Sequence, residues 1–156
     1  MIKEVDANLL EYPLEGFIHQ ANCFITMGAG IAKTIKDKYP EVYDADRNAG
    51  ARGDSKRLGS FSFAKTKDGK VGYNLYGQYN YGRQSRFTSY DAVCNGLTKI
   101  EKHFREDLKL TKLGLPRNMG CMLGGGSWTI VRAIIDDVFL KSPIELYICN
   151  YDPQTK

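Results

Sequence analysis

Apolar and polar positions follow two alternating periods along the chain. Short apolar runs, typical of buried strands, precede segments in which apolar residues recur every three or four positions, as on one face of a helix. The spacing predicts strands over Ile2–Asp6, Gly16–His19, Ser60–Lys65, Lys70–Leu75, Lys112–Leu115 and Ile144–Cys149. It predicts helices over Gly30–Tyr39, Glu41–Asn48, Ser89–Phe104 and Trp128–Leu140. We therefore expect one α/β domain over residues 1–156, with a mixed sheet covered by helices on both faces.

The connections between these elements carry their own signals. Ala49–Arg57 is polar and contains glycine, which is typical of a loop. Lys67-Asp68-Gly69 separates the third and fourth predicted strands, and an Asp-Gly pair in that position favours a β-hairpin. The other strands alternate with helices, and sheets built in this way bind ligands at the carboxyl ends of their strands.

Composition limits the class of protein. The chain has 156 residues, of which 42% are hydrophobic and 26% charged, a balance that excludes a disordered tail. Its net charge of +4 suits an anionic small-molecule ligand. It has neither an apolar run long enough for a membrane helix nor the apolar core of a signal peptide at its start. Its cysteines are scattered, without a Cys-x-x-Cys pair, at positions 23, 94, 121 and 149. We expect a cytoplasmic monomer that contacts no membrane and needs no metal or cofactor.

Two glycine-rich segments follow predicted strands and lead into helices: Asn22–Lys33 and Gly120–Trp128. A helix N-terminus presents free backbone N–H groups and a partial positive charge, which suits phosphate, and two such loops could hold a diphosphate between them. The first is not a dinucleotide fingerprint, because Lys33 occupies the third glycine position, and neither is a Walker A loop. For either loop alone, a tight turn with a helix cap is the alternative.

A family resemblance rests on four segments in order: Val5–Leu10, Ile18–Asn22, Met27–Ala32 and Gly120–Trp128. Together they resemble a macro domain, and most closely the branch that includes ADP-ribose 1''-phosphate phosphatases, phage-encoded macro domains and the terminal ADP-ribose protein glycohydrolase. The resemblance extends from about Ile2 to Tyr151. It implies a three-layer α/β/α fold and a pocket for ADP-ribose or a derivative.

The resemblance also implies where each part of ADP-ribose would lie. Adenine would lie near Asn8, the N–H of Leu9 and the ring of Tyr151, and the distal ribose near Asn22 and Gly77. The two glycine loops would hold the diphosphate. The complete set of implied binding residues is Asn8, Leu9, Ala21, Asn22, Met27, Gly28, Ala29, Gly30, Ile31, Ala32, Gly77, Tyr79, Gly120, Cys121, Met122, Leu123, Gly124, Gly125, Gly126, Ser127 and Tyr151.

Two departures from the family bear on the chemistry. In the glycohydrolase branch a lysine attacks the sugar and an aspartate assists, and the matching positions here are Gln78 and Gly124. Glutamine cannot form a Schiff base and glycine cannot take a proton, which argues against that mechanism. Ser127 also replaces a carboxylate that some relatives carry before the tryptophan.

The first hypothesis is hydrolysis of ADP-ribose 1''-phosphate by water, with Asn22, Gln78 and His19 as the catalytic residues, although the missing lysine and carboxylates favour a non-catalytic binder. The ordinary pKa of histidine suits acid–base work, although a lone histidine beside an apolar strand is more often structural. Cys121 could be a helix-start nucleophile, but a packing role is favoured over that one. A binder that sequesters ADP-ribose without turnover is the main alternative.

A further alternative rests on the aromatic segment Tyr73–Tyr90, which also contains Arg83 and Arg86. Aromatic rings interleaved with arginines bind single-stranded nucleic acid, whereas alternate aromatic residues of a strand pack in a core. Under the family resemblance, Gly77–Tyr79 would line the distal ribose and the Arg83–Thr88 loop would form the rim of the pocket. Nucleic acid is therefore the less favoured partner.

Overall fold

The computed structural model describes residues 1–80, 87–122 and 124–151. The strands are β1 (Ile2–Val5), β2 (Gly16–Ala21), β3 (Phe61–Lys65), β4 (Val71–Tyr76), β5 (Lys112–Pro116) and β6 (Glu145–Cys149). The helices are α1 (Gly30–Lys38), α2 (Pro40–Asn48), α3 (Tyr90–Lys102) and α4 (Trp128–Phe139). A 3₁₀ turn covers Ser55–Arg57, and a π-helical turn over His103–Asp107 continues α3.

The strands form one mixed sheet in the order β1-β6-β5-β2-β4-β3. The first five strands in this order are parallel, and β3 at the edge pairs antiparallel with β4. The predicted hairpin is confirmed by this pairing, in which Lys65 lies opposite Val71. Because five strands run in one direction, their carboxyl ends meet along one edge of the sheet.

Helices cover both faces of the sheet, which confirms the predicted three-layer α/β/α arrangement. On one face, Ile35 of α1 and Val42 of α2 pack with Phe17 in one apolar cluster. On the other face, Val93 of α3 and Ile135 of α4 belong to a second, larger cluster built on β2, β4, β5 and β6. Successive side chains of β2 therefore point into different clusters, since Phe17 joins the first and Ile18 the second.

The predicted elements are present with shifted ends. β2 continues past His19 to Ala21, in register with β4 as far as the Ala21–Tyr76 pair, so polar Gln20 is part of the strand. Pro116 is the last residue of β5 rather than the first residue beyond it, a strand-end position that proline tolerates. The predicted helix over Ser89–Phe104 begins one residue later, because the Ser89 side chain is its N-cap and accepts a hydrogen bond from the Ala92 N–H.

Within the described ranges, no helix is both long and apolar enough to cross a membrane. The same residues contain no group of three or more histidine, cysteine, aspartate and glutamate side chains that could hold a metal ion. The four cysteines are free thiols.

Candidate functional site

The carboxyl ends of the parallel strands bring the separated sequence motifs to one edge of the sheet. Asn8 follows β1, Asn22 follows β2 and Gln78 follows β4, while Gly120 and Tyr151 follow β5 and β6. In space the order of these strand ends is β1, β6, β5, β2 and β4, so the predicted adenine residues lie at one end of this edge and Gln78 at the other. Open α/β sheets bind ligands in a crevice along this edge, and this region is called the cleft.

The first glycine loop, Met27–Ala32, is open at its glycines. Ideal Cβ atoms built on Gly28 and Gly30 meet nothing within 4 Å, and Gly30 has a φ of 57°, where glycine is favoured. Met27 anchors the loop, since its side chain is buried beside Ile35. The loop therefore keeps a fixed base and an uncrowded tip.

The N-terminus of α1 is built on this loop without a side-chain cap. Ala29 occupies the N-cap position and has no side chain that could accept from the first-turn N–H groups. At α4, Ser127 is the N-cap residue, but its hydroxyl makes no capping hydrogen bond. α2 has no side-chain cap either, but its first residue is Pro40, which carries no N–H. The first turns of α1 and α4 thus face the cleft with a positive dipole end and no anionic or hydroxyl cap.

The second glycine loop, Gly120–Ser127, is crowded by the protein itself. A Cβ on Gly124 would lie 2.4 Å from the Thr88 hydroxyl and 2.8 Å from the Gly120 carbonyl oxygen. The Gly126 N–H donates to that carbonyl at 2.8 Å, and the Ser127 N–H donates to the Tyr90 hydroxyl at 2.9 Å. Several N–H groups predicted to bind phosphate therefore already have partners in the protein. Leu123, also predicted to be in this set, lies outside the described residues.

Cys121, in the same loop, has the features of a packing residue. Its thiol donates to the Met119 carbonyl oxygen at 3.4 Å, and it packs against the larger apolar cluster. Burial raises its pKa, which opposes the thiolate form that a nucleophile needs. The favoured packing interpretation agrees with this environment. Its neighbour Met122 is 78% exposed, so the loop has one apolar side chain in solvent.

Asn22 holds together the turn that leads into the first glycine loop. Its side-chain oxygen accepts from the Phe24 N–H at 2.8 Å, and its side-chain nitrogen donates to the Thr26 hydroxyl at 2.7 Å. Within this turn Ile25 has a φ of 59°, a strained conformation for a β-branched residue. The amide oxygen keeps a second lone pair, so holding the turn is compatible with the predicted contact to a ribose hydroxyl. Ala21, the residue before it, is buried at the end of β2.

Gln78 lies at the far end of the cleft in a network of neutral polar groups. Its side-chain oxygen accepts from the Gln20 amide at 2.8 Å, and its own amide donates to the Asn80 carbonyl oxygen at 2.7 Å. An ideal Cβ at Gly124 would be 3.0 Å from the Gln78 oxygen. The two positions that match the lysine and aspartate of the glycohydrolase branch are therefore adjacent, although neither carries an ionisable group here.

His19 does not reach the cleft, which corrects its predicted catalytic role. The ring is completely buried, and its Nε2 atom is 2.5 Å from the Asn74 side-chain oxygen. Asn74 in turn donates to the Val42 carbonyl oxygen, which belongs to α2. Burial lowers the His19 pKa to about 4, against the smaller raising effect of the hydrogen bond with Asn74. His19 is thus a neutral structural side chain on the opposite face of β2 from Gln20.

The predicted adenine end is formed by Asn8 and its neighbours. The Asn8 side-chain oxygen accepts from the Leu10 N–H at 3.0 Å, so it shapes the loop after β1. The side chain of Leu9 is buried, which leaves only its backbone for a base. Tyr151 is half-buried at the last described position, directly after β6. The structure brings these residues to adjacent strand ends, because β1 pairs with β6.

An aromatic pair lies beyond Gln78, at the distal rim. The rings of Phe24 and Tyr79 meet edge to face, with their centroids 5.0 Å apart. The Tyr79 hydroxyl donates to the Gly53 carbonyl oxygen at 2.8 Å, and Arg52 donates to the Phe24 carbonyl oxygen at 3.0 Å. The Arg52 guanidinium carbon is 5.8 Å from the Phe24 ring centroid. The loop before the 3₁₀ turn thus packs against this aromatic pair, which sequence patterns did not indicate.

The other aromatic residues of the predicted nucleic-acid segment are mostly in the core. Tyr73 and Tyr76 are fully buried, as the core interpretation of alternating strand residues expects. Of this segment, Tyr79 is 38% exposed, and Tyr90 is half-buried. Tyr81, Arg83 and Arg86 lie outside the described residues.

Gln20 was not predicted as a site residue, and Thr88 was predicted only as the end of the Arg83–Thr88 rim loop. The Gln20 amide donates to the Thr88 hydroxyl at 2.8 Å, and that hydroxyl donates to the Gly120 carbonyl oxygen at 2.7 Å. The N–H groups of Phe87 and Thr88 both donate to the Gly124 carbonyl oxygen. These bonds join β2, the residues before α3 and the second glycine loop. Local sequence motifs do not indicate contacts between residues so far apart in the chain.

Comparison with known proteins places this architecture among macro domains. No family model matches the chain. It is 28% identical over 159 residues to an uncharacterized 17.5 kDa protein from the tk-vs intergenic region of Enterobacteria phage T4, covering 98% of both chains. It is 26% identical over 156 residues to the DNA ADP-ribosyl glycohydrolase of Thermus aquaticus, covering 98% of this chain but 41% of that protein.

Solved structures agree. The macrodomain of Mycobacterium tuberculosis DarG superposes with a TM-score of 0.79 at 23% identity, covering 98% of each chain. Thermosipho africanus DarTG in complex with ADP-ribose superposes with a TM-score of 0.77 at 18% identity, covering 99% of this chain and 42% of that one. The chain therefore has the macro domain fold, as the resemblance implied.

Proposed function

We propose that the cleft binds ADP-ribose and that the chain hydrolyses a derivative of it. The observation that carries the proposal is the open first glycine loop beneath the uncapped N-terminus of α1, where Ala29 leaves the first-turn N–H groups without a side-chain partner. Such a terminus suits a phosphate. The similarity to a structure that contains ADP-ribose supports the identity of the ligand.

The order of strand ends supports one orientation of the ligand. Adenine lies near Asn8 and Tyr151, the diphosphate lies against the first glycine loop and the start of α4, and the distal ribose lies toward Asn22 and Gln78. The first loop supplies most of the N–H groups for phosphate, because those of Gly126 and Ser127 are already bonded within the protein.

The proposed reaction is hydrolysis of ADP-ribose 1''-phosphate. A water oxygen attacks the 1''-phosphorus, the bond from phosphorus to the 1''-oxygen breaks, and the leaving oxygen takes up a proton, giving ADP-ribose and inorganic phosphate. Asn22 and Gln78 position the sugar and the water, since neither amide can act as a strong base. Backbone N–H groups stabilise the charge on the transferred group. His19 has no part in this mechanism, because it is buried on the other face of β2.

Phosphate release from ADP-ribose 1''-phosphate tests this reaction. We expect slow turnover by the wild-type protein and less by Asn22→Ala, because small errors in substrate position cost large factors in rate. Lys99→Ala, at an exposed position in the last turn of α3, is the control that should keep the wild-type rate. Binding of ADP-ribose without turnover would instead identify a module that sequesters the ligand.

A second candidate, removal of ADP-ribose from DNA, is favoured by the distal rim. Phe24 and Tyr79 present aromatic surface beside the Arg52 guanidinium at the end where a group attached to the distal ribose would leave the cleft. The Thermus aquaticus relative carries the name of that activity. Gln78 and Gly124 argue against a lysine-dependent route, so water would be the nucleophile here too.

An ADP-ribosylated single-stranded oligonucleotide separates the two candidates. Release of ADP-ribose from it, with no phosphate release from ADP-ribose 1''-phosphate, would select the second. Tyr79→Ala should then lower the affinity for the oligonucleotide, whereas Tyr79→Phe, which keeps the ring and loses only the hydrogen bond to Gly53, should stay near the wild type.

A further inference from the structure

The half-buried side chain of Gln20 links three segments near the carboxyl ends of the strands. Gln20 extends from β2 into the face covered by α3 and α4, and its amide reaches Gln78 on the segment after β4 and Thr88 before α3. Through the Thr88 hydroxyl it also reaches the second glycine loop at Gly120. One neutral side chain therefore connects the distal end of the cleft with a predicted phosphate loop.

The direction of each hydrogen bond in this network is fixed by its two ends. The carbonyl oxygens of Asn80 and Gly120 can only accept, so the Gln78 amide and the Thr88 hydroxyl must donate to them. The Gln78 oxygen and the Thr88 oxygen are then acceptors, and the two N–H bonds of the Gln20 amide supply both. Another polar side chain of similar size cannot replace Gln20 unless it offers two donors at the same place.

The glycines around Gln20 are explained by this packing rather than by a ligand. An ideal Cβ on Gly77 would lie 2.5 Å from the Gln20 side-chain oxygen, and one on Gly120 would lie 2.7 Å from it. A side chain at either position would therefore displace the Gln20 amide. That oxygen is buried and has no hydrogen-bond partner among the described residues. An unpaired buried acceptor lowers the stability of the folded protein, and this loss accompanies the placement of the two N–H groups.

We propose that Gln20 is a positioning residue that orients Gln78 toward the distal ribose and fixes the second glycine loop through Thr88. The inference rests on the proposed binding of ADP-ribose, and it adds that recognition of the distal ribose depends on a side chain that does not touch the ligand. ADP has the same diphosphate but lacks the distal ribose, so Gln20 should matter more for ADP-ribose than for ADP.

Calorimetric affinities for ADP-ribose and ADP test the proposal in Gln20→Glu, Thr88→Val and the matched control Thr88→Ser. Gln20→Glu keeps the shape but replaces the donating nitrogen with oxygen, and Thr88→Val removes the hydroxyl that Thr88→Ser retains. We expect the first two to weaken ADP-ribose binding about tenfold, the effect of one lost hydrogen bond, with a smaller loss for ADP and with Thr88→Ser near wild type. Equal losses for both ligands, or no loss for either, would overturn the proposal.

A ligand-free measurement keeps this result separate from the proposed function. In the network, the backbone N–H groups of Phe87 and Thr88 donate to the Gly124 carbonyl oxygen at 2.8 and 2.9 Å. Hydrogen exchange of these two amides should be faster in Gln20→Glu and Thr88→Val than in the wild type and in Thr88→Ser. If exchange is faster in these two variants but the wild type binds neither ligand, the coupling is retained and the ligand is rejected. Unchanged exchange in the variants would reject the coupling itself.

Discussion

The two glycine loops carry similar sequence signals and use their glycines for opposite reasons. In the first loop, a Cβ on Gly28 or Gly30 would enter open space. In the second loop, a Cβ on Gly124 or Gly126 would collide with Thr88 or with the Gly120 carbonyl oxygen. The first loop is open for a ligand to approach, whereas the second is closed by the protein's own packing. A glycine-rich sequence therefore does not by itself identify a phosphate site.

The capping of the helices supports the same distinction. At α3, which makes no predicted ligand contact through its N-terminus, the Ser89 side chain accepts from the Ala92 N–H. At α1, the N-cap residue is Ala29, which costs about 1 kcal/mol of stability compared with serine, asparagine or aspartate. The helix whose N-terminus lies at the open loop is therefore less stable than a capped helix would be. A helix N-terminus without a side-chain cap is expected where an anion binds.

The largest expected effect comes from closing the open loop. Gly28→Val should fold normally, since its side chain meets no neighbour, but it should weaken ADP-ribose binding about 100-fold, the equivalent of two lost charge-assisted hydrogen bonds at about 1.5 kcal/mol each. Ligand-induced shifts in melting temperature measure the loss, and Gly28→Ala should give a smaller one. Wild-type affinity in the folded valine variant would show that the first loop is a turn that does not contact the ligand.

Buried His19 is expected to affect the stability of the fold but not the affinity for the ligand. His19 has a pKa lowered from 6.5 to about 4 by burial, so the unfolded chain takes up a proton before the folded protein does as the pH falls. Its neutral form contributes stability that is fully present above pH 6.5 and is lost as the pH falls toward 4. The loss is about 3 kcal/mol, at about 1.4 kcal/mol for each unit of the shift.

Urea denaturation of the wild type and of His19→Gln between pH 7.5 and 4.5 measures this contribution. The wild type should lose more stability over the range than the variant, although the variant starts from a lower value. ADP-ribose affinity per folded molecule should be the same in both at pH 7.5. A large loss of affinity in folded His19→Gln would show that His19 does contribute to ligand binding.

Filling the crowded loop should harm folding rather than binding alone. Gly124→Ala places a methyl group 2.4 Å from the Thr88 hydroxyl and 2.8 Å from a backbone oxygen, so we expect a loss of about 1–3 kcal/mol in the free energy of unfolding. Chemical denaturation checks this value, with Gly28→Ala as the matched substitution in the open loop. If the two alanine variants were equally stable, the contrast between the loops would be wrong.

The smallest effects are expected at the N-cap of α1. Ala29→Asn and Ala29→Asp should each stabilise the ligand-free protein by about 1 kcal/mol, because their side chains can cap the first-turn N–H groups. Ala29→Asp should weaken ADP-ribose binding more than Ala29→Asn, since it adds a negative charge where the phosphate binds. Melting temperatures with and without ligand test both effects, and tighter binding by the aspartate variant would contradict a phosphate site here.

Local periodicity was enough to predict the elements, and the family resemblance was enough to predict the three-layer fold, because both depend on signals within short segments. The resemblance also led to Asn8, Asn22 and Gln78, which follow three parallel strands. It could not indicate that Asn22 holds a strained turn at Ile25, since that depends on backbone geometry. His19 was misjudged because its sequence context gives no sign of which face of β2 it occupies.

Contacts between distant parts of the chain could not be predicted from the sequence. Gln20 and Thr88 are 68 positions apart, yet share a hydrogen bond. The segment Ala49–Arg57 was predicted only as a polar loop, but Arg57 is buried against Asp46, whose carboxylate also accepts from the Tyr76 hydroxyl. In each case a polar residue is buried because a remote partner satisfies it, and only the three-dimensional arrangement supplies that partner.

Isothermal titration of the wild type and Gly28→Val with ADP-ribose tests the central claim most directly, namely that the open first loop is the anion-binding part of an ADP-ribose cleft. The wild type should bind one ADP-ribose per chain, and an excess of about 100 times the dissociation constant should stabilise it by about 2.7 kcal/mol. The folded variant should bind about 100-fold more weakly. An absence of heat with millimolar ADP-ribose, or equal affinity in the two proteins, would contradict the claim.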